Sequence, residues 1–159
     1  MRASGLSAYD AACVRHPEVP PSSFGGDDVA TIPASHADLL KKPAFANLAT
    51  LNADGSPQVT PVWVDFDGTH VIVNTARGRV KAKNLARDPR VALSIADPEN
   101  PYRYLGIQGR VTEMTDAGGD AHIDKMAKKY LGKDSYPGRT PGEVRVIVKI
   151  TPDKVHATG

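Results

Sequence analysis

Two Asp-Gly pairs, Asp54-Gly55 and Asp67-Gly68, constrain the fold of this chain more than any other feature of its sequence. Each pair separates two runs of residues suited to β-strands, and Asp-Gly favours the tight turns with positive φ that join antiparallel strands. The predicted strands are Phe45–Asn52, Gln58–Phe66 and Thr69–Thr75. The sequence therefore predicts an antiparallel meander of three strands in this part of the chain.

The segment Val71–Ile95 continues this pattern with a strand, a polar turn, a short helix over Arg79–Arg87 and a further strand. The basic residues between its two apolar runs are Arg77, Arg79, Lys81, Lys83, Arg87 and Arg90, and the one acid is Asp88. The amides that open a helix lack intrahelical partners and attract anions, especially beside cations. The segment predicts a site for a phosphate-bearing cofactor, with a solvated basic helix face as the alternative.

Three more strands complete the predicted sheet. They are Arg90–Ile95, Tyr102–Met114, with possible bulges or close backbone approaches at Gly106 and Gly109, and the alternating run Glu143–Ile150. The clearest helix is Ala121–Leu131, which Gly132 ends. Six mostly antiparallel strands with short helices predict a mainly β fold, a closed or partly closed barrel, because closure removes exposed sheet edges. The sequence has neither a GxGxxG nor a GxxxxGK[ST] motif.

Composition limits the possible functions. A chain of 159 residues with a net charge of +2 is one domain of ordinary charge, which argues against a general nucleic-acid binder. Its single cysteine, Cys13, fits a reducing cytoplasm, and no apolar run approaches the roughly 20 residues of a membrane-spanning helix. Residues 1–30 are interrupted by proline and glycine, so we expect a loose N-terminal extension before a barrel domain over residues 31–159.

No side chain stands out as catalytic. The five histidines are scattered without metal-ligand spacing, so no metal site is expected, and neither Cys13 nor Ser56 has a base in view. Trp63, Tyr102 and Tyr104 could pack on a planar ring or could equally serve core or interface packing. A binding site without a catalytic side chain is typical of proteins whose cofactor carries the reaction.

Four stretches together carry a family resemblance: FANLATLNADGSPQVTPVWVDFDG, VNTARGRVKAKNLARDPRVALSI, DPENPYRYLGIQGRV and VRVIVKITPDKVH. With them the chain resembles the split β-barrels of the pyridoxamine 5′-phosphate oxidase-like superfamily. More narrowly, it is similar to the deazaflavin (coenzyme F420)-dependent reductases, the B group of flavin/deazaflavin oxidoreductases. The resemblance implies a six-stranded antiparallel split β-barrel and a homodimer with two cofactor sites at the interface.

The same resemblance implies the cofactor-binding residues Thr60, Pro61, Val62, Trp63, Thr75, Arg79, Lys81 and Asn84. Thr60–Trp63 would back the ring of the cofactor, and Arg79, Lys81 and Asn84 would hold its phosphate, with Thr75 at the end of the preceding strand. True pyridoxamine phosphate oxidases have an adjacent Arg-Lys pair, whereas here Val80 precedes Lys81. This departure favours F420 over FMN.

The activity implied is hydride transfer from reduced F420 to an unsaturated small molecule, such as a quinone, an enone or a tetrapyrrole. The residues leave the substrate and any proton donor unassigned. Two alternatives stay open, an FMN-dependent oxidase or reductase on the same barrel and a non-catalytic carrier of F420 or a flavin.

Overall fold

A computed structural model of the chain describes Cys13–Val14 and residues 29–159. The loose extension predicted for residues 1–30 falls almost entirely outside these residues, and the domain boundary near residue 30 stays a prediction. At that boundary the amide of Ala30 donates a hydrogen bond to the carbonyl of Pro152 at 2.9 Å. No helix in the described part of the chain is long and apolar enough to cross a membrane.

The fold is mainly β with short helices, as the sequence predicts. The strands are β1 (Cys13–Val14), β2 (Ala46–Leu51), β3 (Pro57–Val62), β4 (Val64–Phe66), β5 (Val71–Ala76), β6 (Arg90–Ala96), β7 (Tyr104–Thr115) and β8 (Arg145–Thr158). The helices are a 3₁₀ turn (Ala34–His36), α1 (Asp38–Lys41), α2 (Val80–Arg87) and α3 (Gly119–Leu131). Both Asp-Gly turns connect the strands predicted for them, and Gly55 and Gly68 have φ values of 82° and 102°.

All strand pairs are antiparallel, and the sheet has the order β3-β2-β6-β7-β8-β5-β4, with β1 paired to β7. The two edge strands, β3 and β4, are separated along the chain by Trp63 alone. The sheet therefore curls so that its two edge strands are joined through Trp63. One extended segment pairs with β2 at its start and with β5 at its end. The prediction of six strands is corrected in count, because Gln58–Phe66 divides at Trp63 and β1 is added, while the fold class is confirmed.

The last strand is longer than the predicted Glu143–Ile150, because β8 begins at Arg145 and continues to Thr158. Pro152 would be expected to end a strand, but the register against β7 shifts between Gln108 and Gly109, which accommodates it. A side chain at Gly109 would place its Cβ 2.5 Å from the carbonyl oxygen of Thr151. The close backbone approach predicted for Gly109 is confirmed, whereas Gly106 has only ordinary contacts.

The core lies inside the curled sheet. Its largest fully buried side chains include Leu48, Val64, Ile95, Leu105 and Ile150. The helix α3 covers β5 and β8 from outside. Its own residues Ile123, Met126 and Ala127 are buried. This helix begins two residues before the predicted Ala121, and it borders the end of β5 from which the basic turn starts.

Candidate anion- and ring-binding site

The turn from β5 into α2 forms the first half of the site. Gly78 has φ of 84°, a left-handed conformation that glycine adopts without strain. Arg79 immediately precedes α2, and no side chain in the described part of the chain caps the helix. The amides of the first turn therefore lack intrahelical partners, and the helix dipole favours an anion beside them. The predicted helix start at Arg79 differs from the observed one by a single residue.

Four of the six basic residues of this segment are engaged or directed elsewhere. They are Arg77, paired with Asp116; Arg87, bonded to the carbonyl of Leu51; Arg90, paired with Asp88; and Lys83, which is exposed. Arg79 and Lys81 remain at the start of α2. The cation cluster is thus smaller than the sequence suggests, and it is local to the helix N-terminus.

A third cation, Arg145 at the start of β8, joins these two. Arg79 and Arg145 contact opposite oxygens of the Glu143 carboxylate, at 2.7 and 3.0 Å. The Arg145 side chain is 4% exposed, and its Nε donates to Oδ1 of Asn74 at 2.9 Å. Burial, and then the neighbouring charges of Arg79 and Arg145, lower the pKa of Lys81. Two arginines therefore hold one carboxylate between them, and Lys81 lies near both arginines.

The hydroxyl of Thr75 is buried without a hydrogen-bond partner among the described residues. Thr75 lies at the end of β5, where it pairs in register with Val146, and it is 1% exposed. A buried polar group without a partner costs roughly 1–3 kcal/mol. This unsatisfied donor lies four positions before Arg79 in the chain, and its contact with a cofactor stays a prediction.

Asn84 lies on the inner side of α2, and its side chain has protein partners at both ends. Its Nδ2 donates to Oγ1 of Thr50 and Oδ1 of Asn52, each at 3.0 Å. Arg87 donates to its Oδ1 at 3.0 Å. These bonds tie α2 to β2, so Asn84 has a structural explanation, and its contact with a phosphate stays a prediction.

The second half of the site is the strand segment Thr60–Trp63. Val62 is buried in the core, Thr60 is half-buried and Pro61 is exposed. Proline is tolerated in β3 because this strand is an edge of the sheet. The segment thus presents a backbone with one free edge next to the division between β3 and β4.

Trp63 packs against two tyrosines. Its ring stacks on Tyr130 of α3, with centroids 5.1 Å apart, and meets the edge of Tyr136 at 5.8 Å. The Tyr136 ring also lies 5.1 Å from the guanidinium of Arg145. Tyr136 therefore connects the aromatic half of the site with the cation cluster. Of the two roles open for Trp63, packing is observed, and contact with a cofactor ring stays a prediction.

Sequence reasoning missed Arg145, Glu143 and Tyr136. The alternation of the last strand places Arg145 on the face opposite the buried valines, which predicts exposure to solvent. It is buried instead, because it pairs with Ala76 at the end of β5 and lies against Gly119 of α3. Only knowledge of the β5–β8 pairing and of the position of α3 could have selected it.

Two other features lie outside this site. A shallow groove of ≈ 380 Å³ runs over the outer face of β6, β7 and β8, and its lining includes Ala92, Gly106, Gln108 and His156. Tyr102 is 83% exposed. No cluster of three or more His, Cys, Asp and Glu side chains that could hold a metal occurs within Cys13–Val14 and residues 29–159.

The chain is similar to several known proteins. It is 36% identical over 111 residues to the F420H₂-dependent biliverdin reductase of Mycobacterium tuberculosis. The aligned region covers 67% of this chain and 78% of that protein. Its structure matches an F420 reductase with a TM-score of 0.70 at 32% identity, over 79% of this chain and 98% of the other. It also matches a conserved hypothetical protein of M. tuberculosis, with a TM-score of 0.62 at 23% identity, over 84% and 88% of the two chains.

The last similarity, below 25% identity, concerns the fold alone. The family model of pyridoxamine 5′-phosphate oxidase matches residues 32–159, nearly all of the described chain. The curled antiparallel sheet and the 36% identity to the reductase agree with this match. The chain therefore belongs to the pyridoxamine 5′-phosphate oxidase family.

Proposed function

We propose that this protein is a cytoplasmic oxidoreductase that uses coenzyme F420 to reduce an unsaturated small molecule. The observation that carries the proposal is the cluster of Arg79, Lys81 and Arg145 at the start of α2, which no described side chain caps. The similarity to an F420H₂-dependent biliverdin reductase and to an F420 reductase supports F420 as the cofactor.

The anionic end of the cofactor would lie at the start of α2. Arg79 and Lys81 offer charged donors, the first-turn amides offer neutral ones, and Thr75 has a hydroxyl to donate. Charge-assisted hydrogen bonds are each worth roughly 1.5–3 kcal/mol. The residues present therefore fit a phosphate, and Asn84 contributes by fixing α2 onto β2.

The ring would lie along Thr60–Trp63, whose backbone has a free edge. When bound, reduced F420 supplies a hydride. The protein then needs to align the acceptor with the cofactor ring and to exclude other orientations of the acceptor. This is catalysis by positioning. Tyr136 lies between Trp63 and Arg145, so it borders both ends of this arrangement.

We also propose that the protein is a homodimer with its cofactor sites at the interface. Val59 of β3 is 60% exposed, Phe45, which precedes β2, is 56% exposed, and small residues such as Ala92 are exposed on β6. The residues that line the groove all belong to β6, β7 and β8, and no described helix contributes to the lining. A second copy would bury this apolar surface, as exposed patches of this kind often require.

The proposal is tested by titrating the protein with F420 and, separately, with FMN, while following the fluorescence of Trp63, which is the one tryptophan. Free tryptophanamide corrects for light absorbed by the ligands, and riboflavin, which lacks the phosphate, measures the contribution of the anion site. We expect saturable quenching by F420 at micromolar concentrations, with FMN weaker. Reduced F420 is then mixed with a quinone, an enone and biliverdin, and its oxidation is followed by absorbance.

Each result has a distinct meaning. Oxidation of reduced F420 by an acceptor supports the proposed reductase. Tighter binding of FMN than of F420 would identify a flavin enzyme on the same barrel. Binding of F420 without turnover of any acceptor would favour a carrier, and absence of binding by either ligand would refute the anion site.

A further inference from the structure

Glu143 occupies the position at which a bound anion would meet the arginines. Its two oxygens contact Arg79 at 2.7 Å and Arg145 at 3.0 Å, and its side chain is 16% exposed. It follows Gly142, whose φ is 79°, and its amide donates to the carbonyl of Thr140 at 3.0 Å. The carboxylate is thus held between the two guanidinium groups by the geometry of the turn that leads into β8.

Glu143 carries a negative charge at neutral pH. Burial opposes ionisation, but the hydrogen bonds from Arg79 and Arg145 outweigh it and lower the pKa of Glu143. Arg79 and Arg145 therefore hold one fixed anion between them, and Lys81 lies near both arginines. No described carboxylate forms an ion pair with Lys81, so its ammonium group is the cation that a ligand could engage without displacing Glu143.

A fixed negative charge repels a ligand in proportion to the charge of that ligand. A phosphate monoester, as in FMN, carries between one and two negative charges near neutral pH, since its second pKa is about 6. A phosphate diester, as in F420, carries one. The repulsion from Glu143 is therefore up to twice as large for a monoester as for a diester, whereas the ring-binding contacts are unaffected.

We propose that Glu143 is a specificity-determining residue that favours phosphate diesters over phosphate monoesters at the start of α2. The inference rests on the proposed function, since it assumes that a phosphate-bearing ring compound binds there. It makes Glu143 a second reason for weak binding of FMN, besides the missing Arg-Lys pair that the sequence offers.

The test compares two ligands that differ by one charge, FMN and its phosphate methyl ester, with F420 as a third. Their dissociation constants are measured for the natural protein, Glu143→Gln and Glu143→Asp. If the substitution to glutamine tightens the methyl ester about threefold, the doubled charge of fully ionised FMN predicts about tenfold tightening, because the interaction energy doubles. Glu143→Asp keeps the charge and should keep the preference for diesters.

Two controls separate this effect from others. Glu113→Gln removes a negative charge on the sheet that is paired with Lys149 at 3.2 Å. It should leave the dissociation constants of FMN and its methyl ester unchanged relative to each other and to that of F420. Thermal unfolding shows whether Glu143→Gln leaves the fold intact. If it does not, the Glu143→Asp variant carries the test, and loss of the preference for diesters in that variant would overturn the inference.

The outcomes also separate this inference from the proposed function. If F420 fails to bind the natural protein while the FMN pair shows the expected shift, F420 is the wrong cofactor and the role of Glu143 stands. If F420 binds but Glu143→Gln tightens FMN and its methyl ester equally, or weakens both, Glu143 only orders the arginines and the inference is wrong. If no ligand binds either protein, both ideas are refuted.

Discussion

Lys81 and Lys83 are two positions apart in α2 and differ in their surroundings. Lys81 is half-buried beside Arg79 and Arg145, whereas Lys83 is exposed. We expect Lys81→Ala to weaken F420 binding by about tenfold to a hundredfold, the loss of one charge-assisted contact. Lys83→Ala is the matched control and should change the dissociation constant by less than about threefold. Equal effects in the fluorescence titration would mean that only net charge attracts the cofactor.

Thr75 gives a prediction in which stability and binding move in opposite directions. Its hydroxyl is buried and unpaired, and valine has nearly the same shape. We expect Thr75→Val to raise the free energy of unfolding by about 1 kcal/mol, because the unsatisfied group is removed. F420 should bind about tenfold more weakly, through loss of one hydrogen bond. Urea unfolding and titration measure the two effects, and a variant that is less stable would show that the hydroxyl has a partner in solution.

At the scale of elements, the position of α2 depends on Asn84. Its amide joins the helix to Thr50 and Asn52 of the β2 hairpin. Asn84→Ala removes these bonds and leaves Thr50 without its donor, so we expect a loss of about 1–3 kcal/mol in unfolding free energy. Asn47→Ala, at an exposed position of β2, is the control and should stay within about 0.5 kcal/mol. Urea unfolding of both variants checks this, and equal losses would contradict it.

Asn84 could position α2 or bind the phosphate directly, and the two roles predict different effects of Asn84→Ala on ligand binding. The two roles can be distinguished by binding measurements well below the unfolding temperature. Direct phosphate contact predicts that Asn84→Ala weakens F420 and leaves riboflavin unchanged. If Asn84 only positions α2, the weakening of F420 binding by Asn84→Ala should diminish at temperatures where the variant is fully folded.

Elements whose signals are local could be predicted from the sequence. The two Asp-Gly turns, α2 with its stop at Asp88, and α3 all appear within one or two residues of their predicted bounds. The extension of β8 past Pro152 could not, because a register shift against β7 is what permits it. The division at Trp63 is likewise invisible in an alternating strand, since it arises from pairing with two different neighbours.

The same distinction applies to the candidate site. Arg79 and Lys81 could be found because they are adjacent to a turn and a helix start in the chain. Arg145 and Glu143 are more than sixty positions away and reach the site only through the pairing of β5 with β8. The sequence contains these residues, but long-range register decides which of them meet.

In the whole molecule, closure of the sheet depends on α3. The hydroxyl of Tyr130 accepts a hydrogen bond from the amide of Val64 at 2.9 Å and donates to the carbonyl of Ala44 at 2.8 Å. Lys129 donates to the carbonyls of Leu40 and Val64, at 2.6 and 2.7 Å. These bonds hold the chain where it passes from one edge of the sheet to the other, next to the segment that would back the cofactor ring.

A second long-range contact ties α1 to the loop between β6 and β7. Asp97 is 5% exposed, and its carboxylate accepts from Lys42 at 2.9 Å and from Arg103 at 2.6 Å. Arg103 also pairs with Asp38 of α1 at 2.5 Å. The hydrogen bonds from Lys42, the amide of Glu99 and Arg103 lower the pKa of Asp97 in the folded protein.

This cluster predicts how stability changes in acid. A carboxylate whose pKa is lower in the folded than in the unfolded state contributes stability above its unfolded pKa, near 4, and that contribution is lost as the pH falls towards the folded pKa. Asp97→Asn should therefore lower the urea midpoint at pH 7 and lose less stability than the natural protein between about pH 4 and pH 2. Asp134→Asn, at an exposed position, is the control and should follow the natural protein. Parallel acid curves for the natural protein and Asp97→Asn would mean that other carboxylates govern acid unfolding.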